Sequence, residues 1–333
     1  MQSEMPTLAH VARLADVSEN TVSRVIRNKG SIADKTRKRV LSAIEQLGYV
    51  PNRAAGSLAS SSSFIIGVIL PSLSNIVFPE VLRGIHEGLA TTSYQAMIGV
   101  TDYDLANEEK ILTSLLAWHP AAIITTGFDH TETSRRMMLS KRVRIAELMD
   151  IDDRPIDIAV GLSHRKAGIA TAQHLVSKGY RKIAYVGHNW ISDRRSFFRY
   201  EGLAQGLAEA GHSIVLSERF DGGSSTIAGR ETLARLLASK EAIDAVVFSN
   251  DDMAVGGYMH CLASGLDIPG KLALFGFNGL DIGQALPKPL STIRSNRFMI
   301  GRTAVEKLLE TAGPRSQPQI FDTGFEIIEG ATA

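Results

Sequence analysis

Glu19, Asn20, Ser23, Arg24 and Arg27 share the outward face of one helical pattern, while Val22, Val25 and Ile26 share its inward face. A carboxylate, an amide, a hydroxyl and two guanidinium groups give that outer face both hydrogen-bonding capacity and positive charge. Two further elements must position it. Leu8, Val11, Ala12 and Ala15 mark the apolar stripe of a preceding short helix, and Asp16-Val17-Ser18 forms a tight turn ending in a residue type that caps helix N-termini. Two short helices with a bend between them, the second polar and basic outside, form a helix-turn-helix, which makes DNA the first partner to test.

The 333 residues are too many for one ordinary core, so two or three domains are expected. Apolar residues make up 44%, and no apolar run reaches the ~18–20 residues that span a bilayer. No apolar segment precedes Thr7, which argues against a signal peptide, and the lone Cys261 excludes an intrachain disulfide framework. A cytoplasmic protein is the expectation, without membrane, metal or cofactor. The net charge of +1 hides an asymmetry. Residues 1–62 carry nine Lys/Arg against five Asp/Glu, a net of +4, and the remainder carries 27 against 30, a net of −3. A basic head on a mildly acidic body fits a DNA-reading domain, although charge alone is equally compatible with a solvated surface.

A third helix is expected over Asp34–Leu47, with Val40, Ala43, Ile44 and Leu47 on one face, Lys35, Arg37, Lys38 and Arg39 at its start and Gly48 as its stop. The segment 51–63 reads as either a flexible linker or a hinge that folds only on DNA: Pro51 can begin a helix, but Gly56 and four serines weaken it. Beyond Phe64, short apolar runs alternate with helical patterns, from Ile65–Leu70 to Leu272–Phe277. That alternation predicts an α/β body of doubly wound parallel sheets split into two lobes, with ligands beyond the carboxyl ends of the strands. Enzyme motifs are missing: there is no Walker loop, no Gly-x-Ser-x-Gly elbow and no His-Glu-x-x-His.

Four blocks share order and spacing with a known family. Thr-Leu-x-x-Val-Ala at 7–12, Val-Ser-x-x-Thr-Val-Ser-Arg at 17–24, Lys-Thr-Arg at 35–37 and Gly-Tyr-x-Pro-Asn-Arg-x-Ala at 48–55 resemble the lactose-repressor family of bacterial transcription regulators. The resemblance implies that Glu19 and Asn20 begin the recognition helix and face base edges, with Arg24 one turn on reaching a base or phosphate. It gives phosphate contacts to Thr7, Ser18, Thr21, Ser23 and Asn28, adds Asn52 and Arg53 to the DNA-binding set, and puts Leu58 where the family has its minor-groove wedge. It extends to a body folded like periplasmic sugar-binding proteins, with the chain crossing between lobes near Val160, Leu290 and Phe321. The implied domains are a helix-turn-helix domain at 1–50, a hinge at 51–63, a first lobe at 64–160 plus 292–320, and a second lobe at 161–291 plus 321–330.

The same resemblance implies effector contacts from Ser74, Asn75, Phe78, Asp150, Arg199, Asn250, Asn278 and Arg294. At 278 the family usually has an aspartate; Asn there removes a negative charge, so a cleft keeping Arg199 favours an anion. Ile66–Leu73, Phe78–Ile85, Glu147–Asp150, Asp157–Gly161 and Gly276–Gln284 look like the gluconate-utilisation repressors within the family, implying gluconate or its 6-phosphate as effector. A neutral sugar or other small metabolite is the alternative, and a sugar-binding protein with no regulatory role is a more distant one. Asp251 either caps the following helix or touches ligand, Trp190 either stacks on a sugar or covers the cleft, and Arg195 faces either solvent or the effector. The partners implied are double-stranded operator DNA and a second copy of the chain in a homodimer.

Overall fold

The structure, a computed structural model, describes residues 5–27, 30–51, 63–140, 143–151, 154–191, 193–239, 241–310 and 317–333. Asn28, Asn52, Arg53 and Leu58 lie outside the described residues. The chain divides into a head, 1–63, and a body, 64–333.

The head holds α1 (Leu8–Leu14), α2 (Glu19–Ile26) and α3 (Asp34–Leu47). Each of the first two begins on a side-chain cap. The Thr7 hydroxyl accepts from the His10 amide, and the Ser18 hydroxyl accepts from the Thr21 amide at 3.2 Å. Between them Asp16 turns the chain at φ +51. Val11, Ala12, Ala15, Val22, Val25, Val40 and Ala43 form the small core, and Gly48 ends α3 in the left-handed conformation.

The body has two sheets. The first contains β1 (Ile65–Leu70), β2 (Gln95–Val100), β3 (Ala122–Thr126), β4 (Arg144–Leu148), β5 (Ile158–Gly161) and β11 (Gln319–Asp322), all parallel, in the order β11-β5-β4-β3-β1-β2. The second contains β6 (Ile183–His188), β7 (Ile214–Phe220), β8 (Ala245–Phe248), β9 (Ala273–Asn278), β10 (Ser291–Ser295) and β12 (Phe325–Ile328), in the order β12-β10-β9-β8-β6-β7 with only β12 antiparallel. Buried central strands such as Ile-Ile-Gly-Val-Ile-Leu in β1 are continuous apolar runs because helices cover both faces. Those helices are α4 (Phe78–Leu89), α5 (Leu105–Ala117), α6 (Glu132–Ser140), α7 (His164–Ser177), α8 (Arg194–Glu209), α9 (Thr226–Leu237), α10 (Asp251–Ser264), the short α11 (Asp281–Gln284) and α12 (Arg297–Glu310).

Three lobe boundaries differ from the sequence reading. Gly161, assigned there to the second lobe, is the last residue of β5 in the first sheet. Residues 292–295, read from the sequence as opening the return to the first lobe, belong to β10, which pairs with β9 in the second sheet, so the crossing falls at Asn296. The buried hydroxyl of Thr292 explains this, since it donates to Asp251 at 2.6 Å and has its partner only in the second lobe. Phe321 and Asp322, expected in the second lobe, pair with Val160 and Gly161 in the first, and the chain crosses at Thr323-Gly324, where Gly324 turns at φ +67. Helix α8 begins at Arg194. The Asp193 carboxylate accepts from the Ser196 amide at 3.2 Å and caps it, which brings Arg194 and Arg195 into its first turn.

Helix α7 packs on α8 through glycines facing backbone. A Cβ on Gly168 would stand 2.1 Å from the Arg199 carbonyl oxygen, and one on Gly202 would stand 2.1 Å from that of Arg165. This explains the Arg-x-x-Gly spacing at 199–202: the glycine lets α8 approach closely enough to seat Arg199. Gly202→Ala is expected to force the helices apart and cost about 1–3 kcal/mol, as overpacking does. The check is a lower urea midpoint for the main unfolding transition.

Candidate functional site

On the head, Thr7, Ser18, Glu19, Asn20, Arg24 and Arg27 are exposed, and Thr21 and Ser23 are half-buried. The inward face of α2 is consumed by Val22 and Val25, so Glu19, Asn20, Ser23 and Arg24 are left on the outer side. The positive end of the α2 dipole adds to this face, where anions bind favourably.

In the body, the strand ends of the two lobes meet around a cleft of about 140 Å3, lined by Thr101, Tyr103, Asp129 and Asp150 from the first lobe and Ile191, Arg194, Arg195 and Phe198 from the second. Arg194 reaches across to Asp129 at 2.6 Å. Beside the cleft lies a buried cluster around Arg199. Its Nη2 donates to the Ser249 carbonyl at 2.8 Å and to Asn250 Oδ1 at 3.4 Å, and Nη1 lies 3.1 Å from His164 Nδ1. Its guanidinium carbon sits 3.9 Å from the centre of the Phe277 ring. Asn278 Nδ2 donates to the same Asn250 oxygen at 3.2 Å, bringing Arg199, Asn250 and Asn278 into one network.

Asp193 is the local counter-charge. Its carboxylate stands 3.4 Å from Arg195 Nε and 4.0 Å from Arg199 Nη2. Burial opposes its ionisation, but His188 and then the two arginines override burial and hold it well below the usual carboxylate range. Burial in turn lowers Arg199, with Asp193 opposing. Asp150 acts on Arg199 as a second, weaker counter-charge. Arg199 Nε and Arg195 Nη1 are buried and have no hydrogen-bond partner among the described residues. Unspent buried donors of this kind are costly and ask for an acceptor.

The other expected effector residues divide. Asp150 lines the cleft and accepts from the Ile151 amide at 2.8 Å. Asn75 donates to the Tyr103 hydroxyl at 2.9 Å and so reaches the cleft wall indirectly, and Ser74 is exposed and bonded to Ser72. Phe78 has no exposed surface; it belongs to the apolar core with Val81 and Ile85 because it opens α4 on that helix's buried face. Arg294 is exposed and paired with Glu326 at 2.7 Å, since the alternation of β10 turns it away while Ile293 and Ser295 face inward. Arg195, left open between solvent and effector, lines the cleft. Asp251 clamps the fold: it accepts from the Leu280 amide at 2.7 Å and from Thr292, and burial pushes it up to about 6. Trp190 packs against Tyr185, Phe197 and Tyr200, with Arg219 over its ring at 4.1 Å.

Residues 7–52 match the bacterial regulatory proteins of the lacI family, and residues 172–333 match the periplasmic binding protein-like domain. The chain is 38% identical, over 97% of its length and 94% of the relative's, to the HTH-type transcriptional regulator GntR of Pseudomonas aeruginosa. A crystal structure of a LacI-family transcriptional regulator from Silicibacter pomeroyi superposes with TM-score 0.89 at 41% identity, covering 98% of this chain and 99% of that one. The lac repressor dimer bound to operator and the anti-inducer ONPF shares the fold, with TM-score 0.88 at 24% identity and 99% of both chains covered. The architecture is that of a ligand-sensing body joined to a DNA-reading head. The chain belongs to the lacI family and is a DNA-binding transcription regulator of the GntR type. Its relatives are regulators rather than enzymes, and none of the described helices is long and apolar enough to cross a membrane.

The sequence reading missed His130, which braces the cleft loop at 127–131. Its Nδ1 lies 2.9 Å from Glu108, and its Nε2 lies 3.5 Å from Glu147, all three side chains being buried. Burial works against its charge, but the carboxylates of Glu108, which accepts from the ring, and nearby Glu147 prevail and push it up to about 9 from 6.5. The folded value is above the unfolded one, so this stabilisation is complete below about pH 6.5 and is lost as pH rises through about 9. Thermal melts between those limits should fall more steeply with pH for the wild type than for His130→Gln, whereas parallel curves would contradict the assignment.

Proposed function

We propose that the cleft takes a small acidic sugar, gluconate or 6-phosphogluconate, and that its occupancy controls operator binding by the head. One observation carries this reading: among the described residues, Arg199 Nε and Arg195 Nη1 are buried donors without partners beside the cleft, and Arg199 shares a network with the uncharged Asn250 and Asn278. A carboxylate or phosphate accepts from guanidinium groups in charge-assisted bonds, which a neutral sugar does not offer. Arg199, Asn250 and Asn278 bind the acid and its hydroxyls, with Asp150 and Asn75 on the facing lobe. The likeness of residues 66–73, 147–150 and 276–284 to gluconate-utilisation repressors supports the same ligand.

The head acts as one half of a homodimer on a pseudo-palindromic operator, as the operator-bound lac repressor dimer suggests. Glu19, Asn20 and Arg24 read bases, and Thr7, Ser18, Thr21 and Ser23 hold phosphates. Asn28, Asn52, Arg53 and the wedge Leu58 complete that set.

Isothermal titration with gluconate, 6-phosphogluconate and ribose tests the ligand. At least one acid is expected to bind and ribose is not; binding of ribose alone overturns the reading. Arg199→Ala should weaken acid binding at least about 30-fold, the lower end of losing one partner of a buried charged contact, while operator binding in a gel shift persists. Asn20→Ala should weaken operator binding about 5–150-fold, the cost of one base-specific contact, with acid affinity unchanged in the same titration.

A further inference from the structure

Two buried hydrogen bonds link the lobes through one imidazole. His164 is the first residue of α7, directly after the chain crosses from β5, and is 3% exposed. Its Nε2 lies 2.8 Å from the Met149 carbonyl oxygen just past β4 in the first lobe, and its Nδ1 lies 3.1 Å from Arg199 Nη1 in the second. A carbonyl only accepts and a guanidinium only donates, so a single state satisfies both contacts: a neutral ring with its proton on Nε2. Burial, then Arg199 and Arg195, hold this imidazole well below the usual histidine range, in keeping with that state. Phe277 lies against both groups, 5.6 Å from the imidazole and 3.9 Å from the guanidinium. Met149 sits at φ +77, and the next residue is Asp150 of the cleft wall.

We propose that His164 is a positioning residue that transmits the state of Arg199 to the Met149–Asp150 turn of the opposite lobe. This rests on the reading of the cleft as an effector site. An anion drawn to the free Nε edge of Arg199 moves Nη1 relative to Nδ1. The ring is rigid and its two nitrogens are a fixed distance apart, so the Met149 turn follows or its bond breaks. Ligand occupancy thereby changes the placement of one lobe against the other without the ligand touching Met149.

Two variants of the full-length protein separate the two ends of the ring. His164→Asn keeps an acceptor at the reach of Nδ1 and loses the contact with Met149; His164→Gln keeps a donor at the reach of Nε2 and loses the acceptor for Arg199. Operator affinity is measured by fluorescence anisotropy with and without gluconate, and separately 6-phosphogluconate, alongside calorimetry of each acid. In the wild type the acid should change operator affinity about 5–150-fold. With His164→Asn the acid should bind within about threefold of wild type, while that change shrinks to under about threefold. With His164→Gln acid binding itself should weaken. Full wild-type coupling in His164→Asn, or identical losses in both variants, overturns the proposal. If neither acid binds the wild type, the effector reading falls, and a ligand-free measurement still decides the role of His164. Nitrogen-15 NMR should find Nδ1 unprotonated and Nε2 protonated from about pH 5.5 to about 8, with faster amide exchange at Asp150 and Ile151 in His164→Asn. A charged ring, the opposite tautomer or unchanged exchange overturns the proposal.

Discussion

A guanidinium that has lost its water must be satisfied by the protein, and the second lobe is arranged around that requirement at Arg199. The Ser249 carbonyl, Asn250, the His164 ring, the Phe277 face and the Asp193 carboxylate come from four different segments and converge on it. The close contact of α7 and α8 through Gly168 and Gly202 fixes the backbone from which the arginine projects. Among the described residues, the ring of partners is incomplete on the Nε edge.

Charge balance at the cleft follows from the same arrangement. With an uncharged Asn at 278, the arginines are still not bare, because Asp193 supplies one negative charge from the start of α8. Several contacts between the lobes are polar as well: Arg194 with Asp129, His164 with Met149, and Arg297, which binds Glu80 at 2.8 Å in the first lobe and the Asn278 carbonyl in the second. Such contacts are directional, so they distinguish one lobe arrangement from another more sharply than apolar packing does. That suits a body whose output is a change in geometry.

The buried carboxylates divide by function according to their partners. Asp193 faces cations and ionises readily; Asp251 faces a backbone amide and the Thr292 hydroxyl and is pushed up to about 6 by burial. Of the two, Asp193 is the one that touches Arg195 and Arg199. Asp251 instead holds the turn after β9 to the start of β10, and a Cβ on Gly276 would stand 2.1 Å from its carboxylate oxygen. The carboxylate that the sequence left open between capping and ligand contact is thus a clamp behind the site.

By itself the sequence determined the head almost completely. Its three helices are local, their caps at Thr7 and Ser18 act within three residues, and the split between Val22 and Asn20 follows from helical period alone. The alternation of strands and helices likewise determined the two-lobed body, because it depends on short-range hydrophobic pattern. Only the tertiary structure decided which lobe owns Ser291–Ser295, that Arg294 faces Glu326 rather than the cleft, that Phe78 is core, and that His130, His164 and Asp193 matter. Each of these rests on partners far apart in sequence: Glu108 for His130, Arg199 for His164, Asp251 for Thr292. A buried polar group takes its role from what satisfies it, and that partner is chosen by the packing of the whole chain.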